Sequence, residues 1–222
     1  LRVAAGEALP RSQDQHAIAG HAIEVRLYAE DPARDFAPSV GTLKHLALPA
    51  NLRVDAGVRQ GDVIPIHYDP MIAKVIAHGP DREAARRSLL RGLEGAAVAG
   101  VRTNLPLLRA ILGHPGFAAA DLDTGFIARH AAALLAPPPS APPAALAAAV
   151  LRLLRDAAAP ADAADPHSPW GLANAWRMNG EGWQDFRLRD GEQEVALRAH
   201  LGSLLRLDLP GSAVSVAGVA WQ

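Results

Sequence analysis

The sequence predicts an α+β fold arranged in two domains. Short stretches rich in Val and Ile, separated by Gly, Pro and Asp, occupy residues 22–78, and two amphipathic helical patterns follow them. A Pro- and Ala-rich linker over residues 131–143 separates this part from a second one, in which a helical pattern precedes alternating strands. Strands grouped before helices, rather than alternating with them, are typical of the α+β class.

Four strands are predicted in the first domain, over residues 22–28, 42–48, 63–67 and 72–78. Alternate residues of a strand project from the same face of a sheet, so Glu24 and Arg26 are predicted to lie side by side. Taken alone, the pair is either a charged stripe on a sheet or an arginine placed to hold an anion. The general excess of fold features over functional sites favours the stripe.

Two helices are predicted after these strands. Asp81 is a candidate N-cap for a helix that continues to Ala96, and Asn104 is a candidate N-cap for a helix that ends before Gly113. Pro106 falls in the first turn of the second helix, where its missing N–H would have no helical partner anyway. The first helix has one apolar stripe, made of Ala85, Leu89, Leu93 and Ala96.

The second domain is predicted over residues 144–222. An alanine-rich amphipathic helix is predicted over residues 144–158, with an apolar stripe made of Leu146, Val150, Leu153 and Leu154. Strands are predicted over residues 184–189, 194–200, 204–209 and 213–221. The dipeptide Asp190-Gly191 lies between the first two of these strands and is typical of a tight hairpin turn.

Composition excludes several classes of protein. Lys and Arg number 22 against 23 Asp and Glu, so no overall field attracts nucleic acid or an acidic membrane. There is no Cys, which excludes disulfides and thiolate metal sites, and the nine His show no zinc-binding spacing. No apolar stretch could span a bilayer and no signal peptide is apparent, so we expect a soluble, cytoplasmic protein. Residues 1–9 are typical of the end of a helix and residue 1 is not Met, which predicts a truncated start.

Five segments, taken in order, resemble the C-terminal subdomain of biotin carboxylase, in the form found in the biotin-containing subunit of acyl-CoA carboxylases. They are GHAIEVRLYAEDP (residues 20–32), VDAGVRQGD (54–62), GDVIPIHYDPMIAK (61–74), GVRTN (100–104) and DLDTGFI (121–127). The resemblance extends over residues 1–130, and a run of ordered matches is highly specific. It implies a domain of antiparallel sheet and helices that takes part in the ATP-dependent carboxylation of biotin.

The second domain carries another resemblance. DPHSPW (residues 165–170) and NAWRMNG (174–180) are similar to the start of the domain that joins biotin carboxylase to the carboxyltransferase subunit in 3-methylcrotonyl-CoA carboxylase and its relatives. In that family a barrel of antiparallel strands surrounds a helix. Residues 144–222 would supply the helix and a partial antiparallel β barrel. The alternative is a generic β domain with core tryptophans.

The resemblance implies a catalytic role for Arg26. In the family, bicarbonate is activated as carboxyphosphate and yields carbon dioxide, which a biotin enolate attacks. The matching arginine stabilises the enolate oxygen, because a permanently charged guanidinium with several donors suits a developing anion. The alternative is a structural ion pair of Arg26 with Glu24 or Glu30.

Three further residues receive roles from the resemblance. Asp69 matches an aspartate that lies by the ureido ring, so Asp69 and Tyr68 are expected to bind biotin; the alternative for Asp69 is a turn-capping carboxylate. Phe126 matches a position where the subdomain closes over adenine, so it is a candidate for nucleotide binding; the alternative is a core aromatic.

Cofactors and partners also follow from the resemblance. Biotin, ATP and Mg²⁺ are expected, with the magnesium ligands, the general base and the ATP-binding loop before Leu1 and the biotinyl lysine after Gln222. The chain alone is therefore expected to be inactive. The expected partners are the carboxyltransferase (beta) subunit and the biotin carrier domain, in a homodimer or larger hetero-oligomer of the parent protein. Neither nucleic acid nor a membrane is expected.

Two alternatives stay open at this point. A non-catalytic module would use residues 1–130 to dimerise and residues 144–222 to dock a partner subunit. A propionyl-CoA, geranyl-CoA or urea carboxylase would use the same elements for another substrate. An open cleft on which Arg26 and Asp69 converge, bordered by Phe126, would favour the catalytic assignment. If the two residues are buried against each other or face solvent apart, the non-catalytic module is favoured.

Overall fold

A computed structural model describes residues 1–137, 139–157, 175, 177–191, 193–201, 205–209 and 212–216 of the chain. It divides the chain into two compact units, Leu1–Pro137 and Pro138–Gln222, and the division lies within the Pro- and Ala-rich linker. The motif at residues 165–170 lies outside the described residues, as do Asn174 and Trp176 of the second motif. In the described part of the chain, no helix has the length and apolar character needed to cross a membrane.

The first unit combines antiparallel strands with helices, which confirms the predicted α+β class. In chain order its elements are β1 (His21–Tyr28), β2 (Glu30–Asp31), β3 (Ala37–Pro38), β4 (Gly41–Thr42), β5 (His45–Ala47), β6 (Arg53–Ala56), β7 (Val63–Ile64), β8 (Met71–Gly79), α1 (Arg82–Glu94), β9 (Ala97–Ala99), α2 (Leu105–Gly113), α3 (Pro115–Ala118), α4 (Phe126–Arg129) and α5 (Ala131–Leu134). The main sheet has the order β1-β8-β6, so β1 lies at one edge of it. The remaining strands pair as β2-β3, β4-β7 and β5-β9.

The core of the first unit lies against one side of the β1-β8-β6 sheet. Alternate residues of β1 and β8 point to that side, and Leu27 and Val75 are fully buried there. Helix α1 covers this side with the apolar stripe predicted for it, and its Leu89 is also fully buried. The helix begins after Asp81, whose Oδ1 accepts a hydrogen bond from the Ala84 amide at 2.7 Å, as the sequence predicts.

Two of the predicted strands differ from those observed. The extended run over residues 42–48 divides into β4 and β5, because its first part pairs with β7 and its second with β9. The strand predicted over residues 63–67 is only β7, which ends before Pro65, a residue without an amide for the ladder. Strands β6 and β9 were not predicted, since each is short and owes its extended form to its partner strand.

The second unit contains α6 (Pro143–Ala157), β10 (Trp183–Asp190), β11 (Gln193–Leu201), β12 (Leu205–Leu209) and β13 (Ser212–Val216). The strands form an antiparallel meander in chain order, and the predicted hairpin turn follows Asp190, with Gly191 at a φ of +61°. Within the described residues these strands form an open sheet and no closed barrel. Val150 and Leu154 of α6 are buried with the β11 and β12 leucines, whereas Leu153, predicted to share their stripe, is 44% exposed.

Candidate functional site

The side of the β1-β8-β6 sheet opposite the core carries a row of charged residues. Strand alternation places Glu24 and Arg26 of β1 on this side, and the Arg26 Nε lies 3.6 Å from the Glu24 Oε1. In the antiparallel register Arg26 is opposite Lys74, and Lys74 is opposite Asp55 of β6. Five residues form this polar face: Glu24, Arg26, Arg53, Asp55 and Lys74.

Arg26 has 61% of its side chain accessible, compared with 37% for Lys74 and 74% for Arg53. The neighbouring Tyr28 phenol, and after it the Glu24 carboxylate, raise the pKa of the Arg26 guanidinium above its usual value. Glu24 and Tyr28 are the alternate residues on either side of Arg26 in the same strand, so the guanidinium has a neighbour on each side but is not buried. It offers a permanent positive charge and several N–H donors to solvent.

The other charges of the polar face form a second group on β6 and β8. Arg53 donates to Asp55 through Nε at 3.3 Å and Nη2 at 3.0 Å, and the Lys74 Nζ lies 4.0 Å from the Asp55 Oδ2. The hydrogen bond from Arg53 lowers the pKa of Asp55. Arg26 and Lys74 are like charges on paired strands, and each has a carboxylate beside it that reduces their repulsion. With three cations and two carboxylates, the polar face suits an anion.

Asn104 holds the backbone of β1 at Arg26. Its Oδ1 accepts a hydrogen bond from the Tyr28 amide at 2.9 Å, and its Nδ2 donates to the Arg26 carbonyl at 3.1 Å. Its own amide donates to the Tyr28 carbonyl at 3.2 Å. Asn104 stands at the N-cap of α2 as predicted, but the prediction of side-chain capping is wrong, because its amide group is engaged by β1.

Asp69 and Tyr68 lie in the loop between β7 and β8. The Asp69 Oδ1 accepts a hydrogen bond from the Met71 amide at 2.9 Å, which is the turn-capping contact weighed as its alternative. Tyr68 is 81% exposed. Burial, and then the charge of Asp69, raise the pKa of Glu30, so the loop approaches the segment just after β1.

The described contacts do not bring the predicted site residues together in a cleft. Arg26 and Asp69 are both exposed, and no hydrogen bond or ion pair joins them among the described residues. Phe126 is only 5% exposed and packs with Leu107 and Leu134. The geometric condition that would have favoured catalysis is therefore not met by this chain's own residues, and the roles of all four residues stay predictions.

Two imidazoles lie against the Phe126 ring. His114 meets it edge-on with ring centroids 5.3 Å apart, and His130 lies tilted at 4.8 Å. Because Phe126 is only 5% exposed, an adenine could stack on it only if the side chains packed around it moved. No group of three or more His, Asp or Glu residues suited to a metal ion occurs among the residues that the structure describes.

Sequence reasoning missed the parts played by Tyr28, Lys74 and Asn104 around Arg26. Tyr28 could have been found, because it is the next alternate residue of the same strand after Arg26. The other two could not, since Lys74 depends on the pairing register of two distant strands and Asn104 is 78 residues from Arg26 in the chain.

Comparisons with known proteins match both units. A family model of the biotin carboxylase C-terminal domain matches residues 24–129, and a model of the BT domain of the methylcrotonyl-CoA carboxylase alpha subunit matches residues 141–220. The mitochondrial methylcrotonoyl-CoA carboxylase subunit alpha of Dictyostelium discoideum is 43% identical over 183 residues, which are 81% of this chain and 26% of that protein. The mouse (Mus musculus) protein of the same name is 36% identical over 205 residues, 89% of this chain and 29% of the relative.

A solved structure agrees with the first of these matches. The biotin carboxylase domain dimer of Hydrogenobacter thermophilus 2-oxoglutarate carboxylase, in complex with MgADP, ADP and bicarbonate, superposes with a TM-score of 0.58 at 36% identity. The matched region covers 60% of this chain and 30% of the Hydrogenobacter thermophilus chain. This chain therefore spans between a quarter and a third of the length of each of these three proteins. Residues 24–129 are therefore identified as a biotin carboxylase C-terminal domain, and residues 141–220 as a BT domain of the methylcrotonyl-CoA carboxylase alpha type.

Proposed function

We propose that this chain is part of the biotin carboxylase component of an acyl-CoA carboxylase, which carries out the ATP- and bicarbonate-dependent carboxylation of biotin. The observation that carries the proposal is Arg26: an exposed guanidinium beside the Glu24 carboxylate, within the segment that matches the biotin carboxylase domain. A structural ion pair would not require a polar face with an excess of positive charge around it.

The polar face fits a ligand that gains negative charge. When bound, biotin supplies a ureido group whose oxygen becomes more negative as its nitrogen is made nucleophilic. Arg26 would hold that oxygen through its N–H donors, and a guanidinium stays charged at any working pH. Lys74, opposite it on β8, adds positive potential without taking the place of the guanidinium donors.

Asp69 and Tyr68 would contact the same ligand from the β7-β8 loop. The described contacts of Asp69 occupy one carboxylate oxygen, with the Met71 amide, and a carboxylate can accept further bonds through its second oxygen. The exposed phenol of Tyr68 would supply an apolar surface and a hydroxyl. Turn capping and ligand binding are therefore compatible roles for Asp69.

ATP and Mg²⁺ do not fit the described residues in the same way. No cluster of carboxylates or imidazoles suited to a metal ion occurs among the residues of known placement, and Phe126 is covered by two imidazoles. We propose that the magnesium ligands, the ATP-binding loop and the general base are supplied by another part of the parent protein. For Phe126 we propose contact with the adenine only after the side chains packed around it have moved.

The match of residues 141–220 supports methylcrotonyl-CoA as the final acceptor and a carboxyltransferase beta subunit as the partner. A biotin carrier domain would bring biotin to the site, within a homodimer or larger hetero-oligomer. In domain terms, we propose a biotin carboxylase C-terminal subdomain over residues 1–130, a linker over 131–143 and part of the subunit-joining domain over 144–222. Two relatives are mitochondrial by name, and the cytoplasmic location of this chain stays a prediction.

Bicarbonate-dependent cleavage of ATP in the presence of free biotin tests the proposed function. We expect no activity from the 222-residue chain alone, and activity from a protein in which the chain follows the ATP-binding part of a biotin carboxylase. Activity in the chain alone would contradict our account of which parts it lacks. An extended protein that binds a beta subunit yet never responds to biotin would show that the chain is a docking module.

A further inference from the structure

Asn104 pairs with β1 as a neighbouring strand would. β1 is the edge strand of its sheet, so the carbonyl of Arg26 and the amide and carbonyl of Tyr28 face away from β8. The side-chain amide of Asn104 supplies one acceptor and one donor to this edge, and its backbone amide supplies a second donor. Three hydrogen bonds from one residue therefore hold the strand on both sides of Leu27.

The pairing of β1 with β8 is irregular at the same place. The register shifts between Leu27 and Tyr28, one residue beyond Arg26. An irregularity of this kind disrupts the hydrogen-bond ladder locally, so contacts on the other side of the strand contribute more to its position there. Asn104 provides such contacts from the start of α2, and it is only 7% exposed, so water does not compete strongly for its amide group.

We propose that Asn104 is a positioning residue for Arg26 in biotin carboxylation, an inference that rests on the proposed function. By holding the backbone beyond Arg26, it sets where the guanidinium lies on the polar face. It does not touch the ligand itself. Asparagine suits this role because the edge needs both a donor and an acceptor, and an ionised aspartate lacks the donor while leucine lacks both.

The variant Asn104→Ala tests the inference in the complete biotin carboxylase that contains this chain. Two rates are compared: bicarbonate-dependent ATP cleavage without biotin, and the extra cleavage that free biotin produces. We expect the biotin-stimulated rate to fall about 10- to 100-fold, because small displacements of a positioned group have effects of that size. The rate without biotin should change much less, since Arg26 acts on biotin.

Arg109→Ala is the matched control. Arg109 is also on α2, and its guanidinium donates to the carbonyls of Leu93, Glu94 and Ala96 at the end of α1. Its loss should lower Tm without affecting the β1 edge, so both rates should fall together or not at all. If Asn104→Ala and Arg109→Ala give the same ratio of the two rates, Asn104 is only structural and the inference is wrong.

The variant Asn104→Asp provides a test that does not depend on Asn104→Ala folding. When ionised, the new carboxylate can accept from the Tyr28 amide but cannot donate to the Arg26 carbonyl; when protonated, it can do both. For each protein, the biotin-stimulated rate is divided by the rate without biotin. As the pH falls, this ratio in Asn104→Asp should therefore approach the ratio in the unmodified enzyme. The inference is wrong if the ratio in Asn104→Asp stays below that of the unmodified enzyme by the same factor at every pH. It is also wrong if the two proteins have equal ratios at every pH. If the unmodified enzyme itself shows no biotin stimulation, the proposed function has failed instead.

Discussion

The two sides of the β1-β8-β6 sheet are built by the same strands but have opposite characters. On the core side Leu27 and Val75 are fully buried, whereas on the polar side Arg26 has 61% of its side chain exposed. Arg26 and Leu27 are adjacent in the chain, so one backbone segment positions both. The residue that stabilises the fold and the residue proposed to act on biotin are therefore different residues on opposite faces of one strand, and each can be substituted separately.

The largest expected effect is on turnover, from Arg26→Lys in the complete biotin carboxylase. Lysine keeps the charge but loses the planar set of N–H donors, so we expect biotin-stimulated ATP cleavage to fall about 100-fold or more. Tm should not change, because the side chain is largely exposed. Arg87→Lys is the control: Arg87 is 59% exposed and lies 3.6 Å from Glu83, much as Arg26 lies from Glu24. Equal turnover in the two variants would show that Arg26 does not act in the site.

The next effect is on stability, from Leu27→Ala in the 222-residue chain. The leucine is fully buried, and its truncation should lower the free energy of unfolding by about 2–5 kcal/mol through lost burial and a cavity. Val63→Ala, at a residue that is 63% exposed, should change it by about 0.5 kcal/mol or less. Urea unfolding measures both. Similar losses for the two variants would mean that the core does not lie on this side of the sheet.

A smaller effect is expected from Asp55→Asn on the polar side. The hydrogen bond from Arg53 lowers the folded-state pKa of Asp55, so the carboxylate stabilises the fold above its unfolded-state pKa. That stabilisation is lost as the pH falls through the lower, folded-state value. The variant should therefore lower Tm at pH 7 by no more than about 2 °C, with the difference shrinking in acid. A difference that grows in acid would show that Arg53 does not hold this carboxylate.

The smallest effect has the opposite sign and concerns Glu30, beside the Asp69 loop. Burial and then Asp69 raise its folded-state pKa, so ionisation costs the folded state, and stability is lost as the pH rises through this value. Glu30→Gln should raise Tm at pH 7 by about 1 °C and have no effect where Glu30 is protonated in both states. Asp69→Asn should lower the Glu30 pKa in NMR titrations. An unchanged Glu30 pKa would show that the loop does not approach Glu30 in solution.

Much of the fold could be predicted because its signals are local. The helix that begins after Asp81, the hairpin turn at Asp190-Gly191 and the shared face of Glu24 and Arg26 all follow from spacings within a few residues. The strand predicted over residues 42–48 was wrong as a single element, because two different partner strands divide it. The sequence shows that a segment tends to be extended, but it does not show which partner strand completes the hydrogen bonds of that segment.

The candidate site divides in the same way. By itself the sequence determined that Arg26 stands on a strand within a biotin carboxylase domain, because ordered motifs and strand alternation are properties of the chain alone. Only the tertiary structure decided that Lys74 stands opposite Arg26, that Asn104 holds its backbone and that Phe126 is buried. The physical reason is that these contacts depend on which distant segment reaches a sheet edge or a small core. That outcome is set by the packing of the whole domain, and no local spacing encodes it.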